Sequence, residues 1–210
     1  MDYFIRNIEL KLHWYHELDL LEFLHELRTF DYITSIDKSK TLLDYANYIT
    51  YLEKPDIIAI KKDVRIGYGK CYNKSTMRIE GKNKENIKLV FNELIKILDK
   101  IDTNIDKNIL YYEMICLYKV NNLKIKNIKQ IKEKNANLQI LSLDSFYNNP
   151  FSNEFVYIKL VPVFSCWIDD LPKKYDLFFI CYCKNKNKIL EFIESADNLV
   201  EVFIENISVG

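Results

Sequence analysis

The tripeptide Lys-Asn-Lys stands at residues 82–84 and again at 184–186, half a chain apart, and at both places it joins an apolar segment to an amphipathic run. Before the first, the stretch from Met77 alternates and turns at Gly81. After it, Ile87, Val90, Phe91, Leu94, Leu98 and Ile101 recur at three- and four-residue steps, which predicts a helix with Asn83 as its N-cap. Before the second, Phe178 to Cys183 reads as an apolar strand. After it, Ile189, Phe192, Ile193, Leu199, Val200 and Phe203 mark another amphipathic helix. A strand, a corner and a helix that return in the same order imply one duplicated unit, with halves at 1–103 and 104–210. Such a repeat restricts the fold more than composition does.

The rest of the chain fills in the unit. Residues 6–14 alternate, with Ile8, Leu10, Leu12 and Trp14 on one face and Glu9, Lys11 and His13 on the other, as a half-buried strand does. Asp19 and Glu22 have capping-box spacing before the stripe Leu20, Phe23, Leu24 and Leu27. Residues 41–52 suit a helix or a strand equally. DIIAIK, IGYGKCY and TMRIEG are three strands in succession, the first two separated by the turn-like KDVR. In the second half, ILYYEMICLYKV is a strand, and Leu123, Ile125, Ile128 and Ile131 mark a basic helix. Leu138 to Leu143 is a further strand, Asn148-Asn149-Pro150 a turn, and FVYIKLVPVFSCWI a strand region that Pro162 bends or leaves at an edge. YDLFFICYC completes the set. The predicted class is α+β: a duplicated strand–helix–antiparallel strands–helix unit forms one curved sheet, with helices on its convex face and the other face open.

Composition narrows the chemistry. Thirty Lys plus Arg balance thirty Asp plus Glu, so a nucleic-acid site has to be a local patch. Five cysteines without metal-type spacing suit a reducing compartment, with Cys181 and Cys183 as buried small side chains. No apolar run reaches the roughly 20 residues of a membrane span, and MDYFIRNIEL lacks a signal-peptide pattern, so a soluble intracellular protein is expected. His13, His16 and His25 do not form a ligand set, and no nucleophile motif or phosphate loop is present. The sequence therefore predicts no metal, no cofactor and no enzyme.

The order of motifs resembles the TATA-binding protein family, whose two repeats form a saddle astride DNA. Arg6-Asn7-Ile8 and Leu18-Asp19-Leu20 stand at the family's spacing. Lys54-Pro55-Asp56-Ile57-Ile58 resembles its Phe-Pro corner, and Glu80-Gly81-Lys82-Asn83, followed by Glu85, resembles its Thr-Gly-Ala-Lys corner. Lys107-Asn108-Ile109 and the corner from Cys181 to Lys186 carry the likeness into the second half. The resemblance implies a concave face that meets a widened minor groove with apolar side chains, with phenylalanine wedges that kink the duplex. Phe155 stands at a wedge position, Phe164 or Trp167 supplies the second, and Phe179 and Cys181 keep that face apolar. In the first half the wedge positions fall at about Lys54 and Tyr72. Glu9, Lys11 and His13, with Arg78 and Glu80, make that half's concave face charged. Lys61, Lys62, Arg65, Lys74, Lys159, Lys173 and Lys174 fall where the family places phosphate-binding basic residues.

The implied function is a divergent transcription initiation factor that binds and bends AT-rich promoter DNA and recruits other initiation factors or RNA polymerase. Its place would be the nucleus in a cell, or the host cytoplasm, viral factory or virion for a cytoplasmic DNA virus. The rival expectation is a saddle-shaped interaction subunit that has given up DNA, and a third is an enzyme on an unrelated α+β fold.

Overall fold

The computed structural model describes residues 2–15, 18–34, 56–71, 74–101, 105–124, 131–133, 136–138, 143–148, 155–163 and 174–208. In chain order the elements are β1 (Asp2–Tyr15), α1 (Leu20–Thr29), β2 (Ile33–Thr34), β3 (Asp56–Lys61), β4 (Val64–Cys71), β5 (Lys74–Gly81) and α2 (Lys84–Lys100). There follow α3 (Ile105–Asn108), β6 (Ile109–Asn121), β7 (Ile131–Glu133), β8 (Ala136–Leu138), β9 (Leu143–Asn148), β10 (Phe155–Pro162), β11 (Lys174–Cys183) and α4 (Lys186–Ile207). The chain is α+β. Nine strands form one curved, unclosed antiparallel sheet in the order β2-β3-β4-β5-β1-β6-β11-β10-β9, and β7 and β8 pair separately.

Each half of the sheet is laid down in the same succession outward from the central β1–β6 pair. The half's opening strand lies innermost, its closing strand next to it, and the earlier strands toward the edge. Between the opening strand and the edge the halves differ: the first has α1, while the described residues of the second have the β7–β8 pair. Ile131, expected in a basic helix, lies in β7, whose three residues pair with β8. Of the strand expected over 138–143, Leu138 ends β8 and Leu143 starts β9, and residues 139–142 lie outside the described residues. Lys107 and Asn108 close the short α3 rather than opening β6. Pro162 ends β10 opposite Tyr175, beyond the last β9 partner, Leu143. Val163 N–H donates to Lys174 O at 2.8 Å, so the N–H that Pro162 lacks would have pointed away from β11, toward the side where the described residues of β9 pair no further than Leu143. Residues 41–52 lie outside the described set.

Both corners cap helices. Asn83 Oδ1 accepts from Asn86 N–H at 3.0 Å, and Asn185 Oδ1 accepts from Asn187 N–H at 2.9 Å, satisfying donors that a helix start leaves orphaned. Asp19 does the same for Leu21 and Glu22. Gly81 is the last residue of β5 rather than a turn residue. A Cβ there would stand 3.2 Å from Val64 Cγ2 and 3.3 Å from Ile87 Cδ1, so glycine lets the first turn of α2 close onto the strand. Replacing Asn83 or Asn185 with alanine is expected to cost about 1 kcal/mol each, read as a shift of the urea midpoint at constant slope. A loss at one corner only would mean that the two corners are not equivalent.

The helices cover one face. Ile8, Leu10, Leu12 and Trp14 of β1, Met77 and Ile79 of β5, Tyr112, Met114, Cys116 and Tyr118 of β6, and Leu177, Phe179, Cys181 and Cys183 of β11 are buried beneath them in one core. From α2, Ile87, Val90, Phe91, Leu94, Ile97 and Leu98 enter that core. From α4 come Ile189, Ile193, Ala196, Val200 and Ile204. Cys116, Cys181 and Cys183 are buried, as expected for Cys181 and Cys183. Lys84 Nζ bonds Asp197 at 2.6 Å and Lys88 Nζ bonds Glu194 at 2.8 Å, so α2 and α4 run side by side in opposite directions.

Candidate nucleic-acid interface

On the face away from the helices, alternation brings two chemically different surfaces together. The strand registers align Glu80 with Glu9 and Ile115, Arg78 with Lys11 and Glu113, and Thr76 with His13 and Tyr111. Further across, Ile115 pairs with Ile180, Leu117 with Phe178, and Lys119 with Asp176. Tyr157, Lys159 and Val161 of β10 then stand against Ile180, Phe178 and Asp176. The first half of the open face is thus charged, and the second is an apolar patch of Ile115, Leu117, Phe178, Ile180, Tyr157 and Val161. None of these six belongs to the core or to the partly buried residues packed against it.

At the centre, the charges are tied to one another. Lys11 Nζ lies 3.1 Å from Glu9 Oε1 and 3.4 Å from Glu113 Oε1, while His13 Nε2 faces Glu113 Oε2 at 3.4 Å. His13 Nδ1 and Thr76 Oγ1 are 3.1 Å apart, and the Tyr182 hydroxyl donates to Glu113 Oε1 at 3.4 Å. The His13 ring stacks on Tyr111 with centroids 4.3 Å apart, and Tyr111 meets Tyr182 edge-on. Asn7 Nδ2 donates to Glu80 Oε1 at 3.2 Å, and Arg78 reaches Glu80 Oε2 at 3.9 Å.

Burial alone would raise the Glu113 carboxyl and lower the Lys11 ammonium. Their partners outweigh it: His13 and Lys11 hold Glu113 below its ordinary value, and Glu9 and Glu113 hold Lys11 above its own. Tyr111 and Tyr182 are both raised, first by burial and then by the nearby Glu113 charge.

The expected site residues are scattered over more than this face. Arg65 and Lys74 are exposed on the open side of the first half, and Arg78 lies within it. Lys159 stands opposite Phe178, and Lys174 is exposed at the start of β11. Lys62 sits in the β3–β4 turn at φ 55°, with its Nζ 3.4 Å from Asn86 Oδ1. Two expectations are corrected. Lys61 is on the covered side, where its Nζ bonds both Glu93 oxygens at 2.8 Å and the Phe30 carbonyl at 2.9 Å, and lies over the Tyr32 ring. A bulge between Ile57 and Ala59 sets that direction, because it buries two successive residues, Ile58 and Ala59, and reverses the alternation. Phe179, with Cys181, is buried beneath the helices and packs against Phe192, so neither lines the open face. Phe155 pairs with Tyr182 at the start of β10. Lys54, Tyr72, Phe164, Trp167 and Lys173 lie outside the described residues.

Sequence reading missed Phe178, Ile180, Leu117, Ile115 and Lys119. The signal was Asp176, the one charged residue inside YDLFFICYC: residues two and four positions beyond it share its face, which puts Phe178 and Ile180 outward. Among the described residues, no group of three or more His, Cys, Asp or Glu side chains is placed to hold a metal ion, and no helix is long and apolar enough to cross a membrane. No family model and no curated protein sequence matches this chain.

Proposed function

We propose that the sheet is a duplicated saddle of the TATA-binding kind, and that its open face binds an AT-rich DNA duplex from the minor-groove side and bends it, acting by binding rather than turnover. The observation that carries this reading is the apolar patch on the uncovered half of the sheet, bordered by basic residues. Lys119, Lys159 and Lys174 rim it, with Arg65 and Lys74 across the sheet; in the strand register Asp176 stands opposite Lys119 and Asp144 opposite Lys159. A minor groove pried open presents apolar sugar edges between two rows of phosphate, which suits apolar side chains flanked by lysines. The succession of strands outward from the β1–β6 pair supports the duplication. The carboxylates of the charged half do not count against DNA as free charges would, since Glu9, Glu80 and Glu113 each have a partner on the face itself. The helical face is then free to meet initiation factors or polymerase.

The test measures affinity and bending of an AT-rich duplex across a salt series. Phe178→Ala is expected to lose about 1–2 kcal/mol of binding, somewhat less than the full burial of a phenylalanine, and to bend the duplex less. Lys174→Ala is expected to weaken binding to all sequences alike and to flatten the salt dependence by about 0.9 in log–log slope. A wild-type chain that shows no salt-dependent DNA binding would favour the second reading, an interaction subunit. The observation behind that reading is the dense carboxylate pairing on the first half of the face, which suits a protein surface of matching charge.

A further inference from the structure

β1 is longer than its partner β5. Pairing between them begins at Ile8 with Gly81, so Asp2–Ile5 are held on the β6 side only, leaving their other edge without a strand among the described residues. A bulge at Arg6 puts Tyr3 and Ile5 on the covered side with Tyr118 and Val120, and Phe4 on the open side, where it is 52% exposed. Because α2 and α4 run oppositely and meet at Lys84–Asp197, the last ten residues of α4 run past the start of α2 and leave this strand end uncovered by it. Tyr3, Phe4, Ile5, Tyr118 and Asp197 line an open depression there.

The helix beside the depression carries an acidic run, which Lys84 meets at Asp197 and Lys119 faces across the strand from Phe4. From Ile189 to the last residue there is no Lys or Arg, whereas Asp197, Glu201 and Glu205 succeed one another at four-residue steps. Asp197 is held by Lys84 and by the Tyr118 hydroxyl, at 2.7 Å. Glu201 and Glu205 have no cationic partner among the described residues. Both also lie toward the C-terminal end of the helix, where the backbone dipole opposes negative charge and like charges at i,i+4 repel. Their charges, with that of Asp197, reach the Tyr3 hydroxyl and, after burial, hold its proton more firmly.

We propose that this notch takes an extended segment of a partner protein in which basic and apolar residues alternate, added as a strand to the free edge of β1. Strand addition satisfies the edge's open backbone groups. Alternation sends every second side chain to the covered side, where a lysine or arginine meets Glu201 and Glu205 and the Tyr3 ring. The intervening apolar residues lie against Phe4. This surface is separate from the open face and does not depend on what binds there.

The experiment uses the full chain and a capped peptide alternating lysine and valine, with two controls: one alternating glutamate and valine, and one with proline in place of each valine. The lysine–valine peptide is expected to bind, to slow amide exchange at Asp2–Ile5, and to weaken as salt rises. The paired reversal Glu201→Lys with Glu205→Lys is expected to reduce that affinity by roughly two- to thirtyfold, the factor for losing two exposed ion pairs. The same variant should melt no lower than the wild type, since it puts positive charge toward the C-terminal end of α4, where the backbone dipole favours it, and turns the repulsion between positions 197 and 201 into attraction. Absence of amide protection at Asp2–Ile5, equal binding by the reversed variant, or equal binding by the proline peptide would each overturn the proposal.

Discussion

Replacing Phe91 with alanine is expected to destabilise the whole chain by about 3–5 kcal/mol, the range for deleting a buried phenylalanine. Phe91 sits in α2, 1% exposed, and its ring meets the edge of Tyr112 in β6 at a centroid distance of 5.8 Å and 81° between planes. The contact joins the two halves of the sequence: α2 closes the first, and β6 opens the second. Because their buried residues form one core, the cavity should lower the stability of both halves together. Urea unfolding followed by circular dichroism and by tyrosine fluorescence should show coincident transitions, shifted to lower denaturant with the slope unchanged. Phe91→Leu, which keeps most of the volume, is expected to cost less than about 1.5 kcal/mol. If Phe91→Ala split the curve into two transitions, the halves would be folding as separate units.

Glu113→Gln is expected to cost about 2–4 kcal/mol at neutral pH while leaving the shape of the side chain in place. Removing one partner of a buried ion pair costs about 3–5 kcal/mol. The figure is lower here because the Lys11 and Glu113 side chains keep 22% and 13% of their exposure. The pH dependence follows from the direction of each shift. Glu113 is lowered in the folded chain, so its contribution is present above the ordinary glutamate value of about 4.3 and is lost as pH falls through the folded value. Lys11 is raised, so its contribution is present below about 10.4 and is lost as pH rises through the folded value. The gap between wild type and Glu113→Gln should therefore be level around neutrality and shrink in acid. Chemical unfolding of both proteins from pH 3 to 8 reads this directly. A gap that persists unchanged at pH 3 would show that Glu113 acts by shape alone.

How much of the fold was legible depends on where local and tertiary signals agree. The Lys-Asn-Lys corners, the stripe from Ile87 to Leu98 and the alternation of 6–14 are short-range patterns, and each is realised within a residue or a few of its expected place. Asparagine caps a helix start wherever the chain turns into one, so Asn83 needed no knowledge of the rest of the molecule. The length of β1 was not legible, because its first residues are ordered by pairing with β6, more than a hundred positions away. Ile131 fitted a helical stripe but pairs in β7, as a short apolar pattern permits either state until a neighbouring strand decides.

The candidate site shows the same division more sharply. Sequence alone determined that the chain is α+β, that its halves carry matching corners, and that Glu9, Lys11 and His13 share one face of a strand. The sequence reading put Phe179 and Cys181 on the open face of β11, because both faces of YDLFFICYC are largely apolar, a shift of one residue exchanges them, and Asp176 alone marks the other face. The sheet reversed that reading: Phe178 and Ile180 look outward, on the face of Asp176, while Phe179 and Cys181 lie beneath α4. Only the sheet placed Glu113 beside Lys11 and His13, since that contact is fixed by the register of strands a hundred residues apart. Lys61 turned inward for a related reason: one extra residue in β3 reversed its alternation and handed it to Glu93. Periodicity reveals what each segment can present, and long-range pairing selects the side to which it is presented.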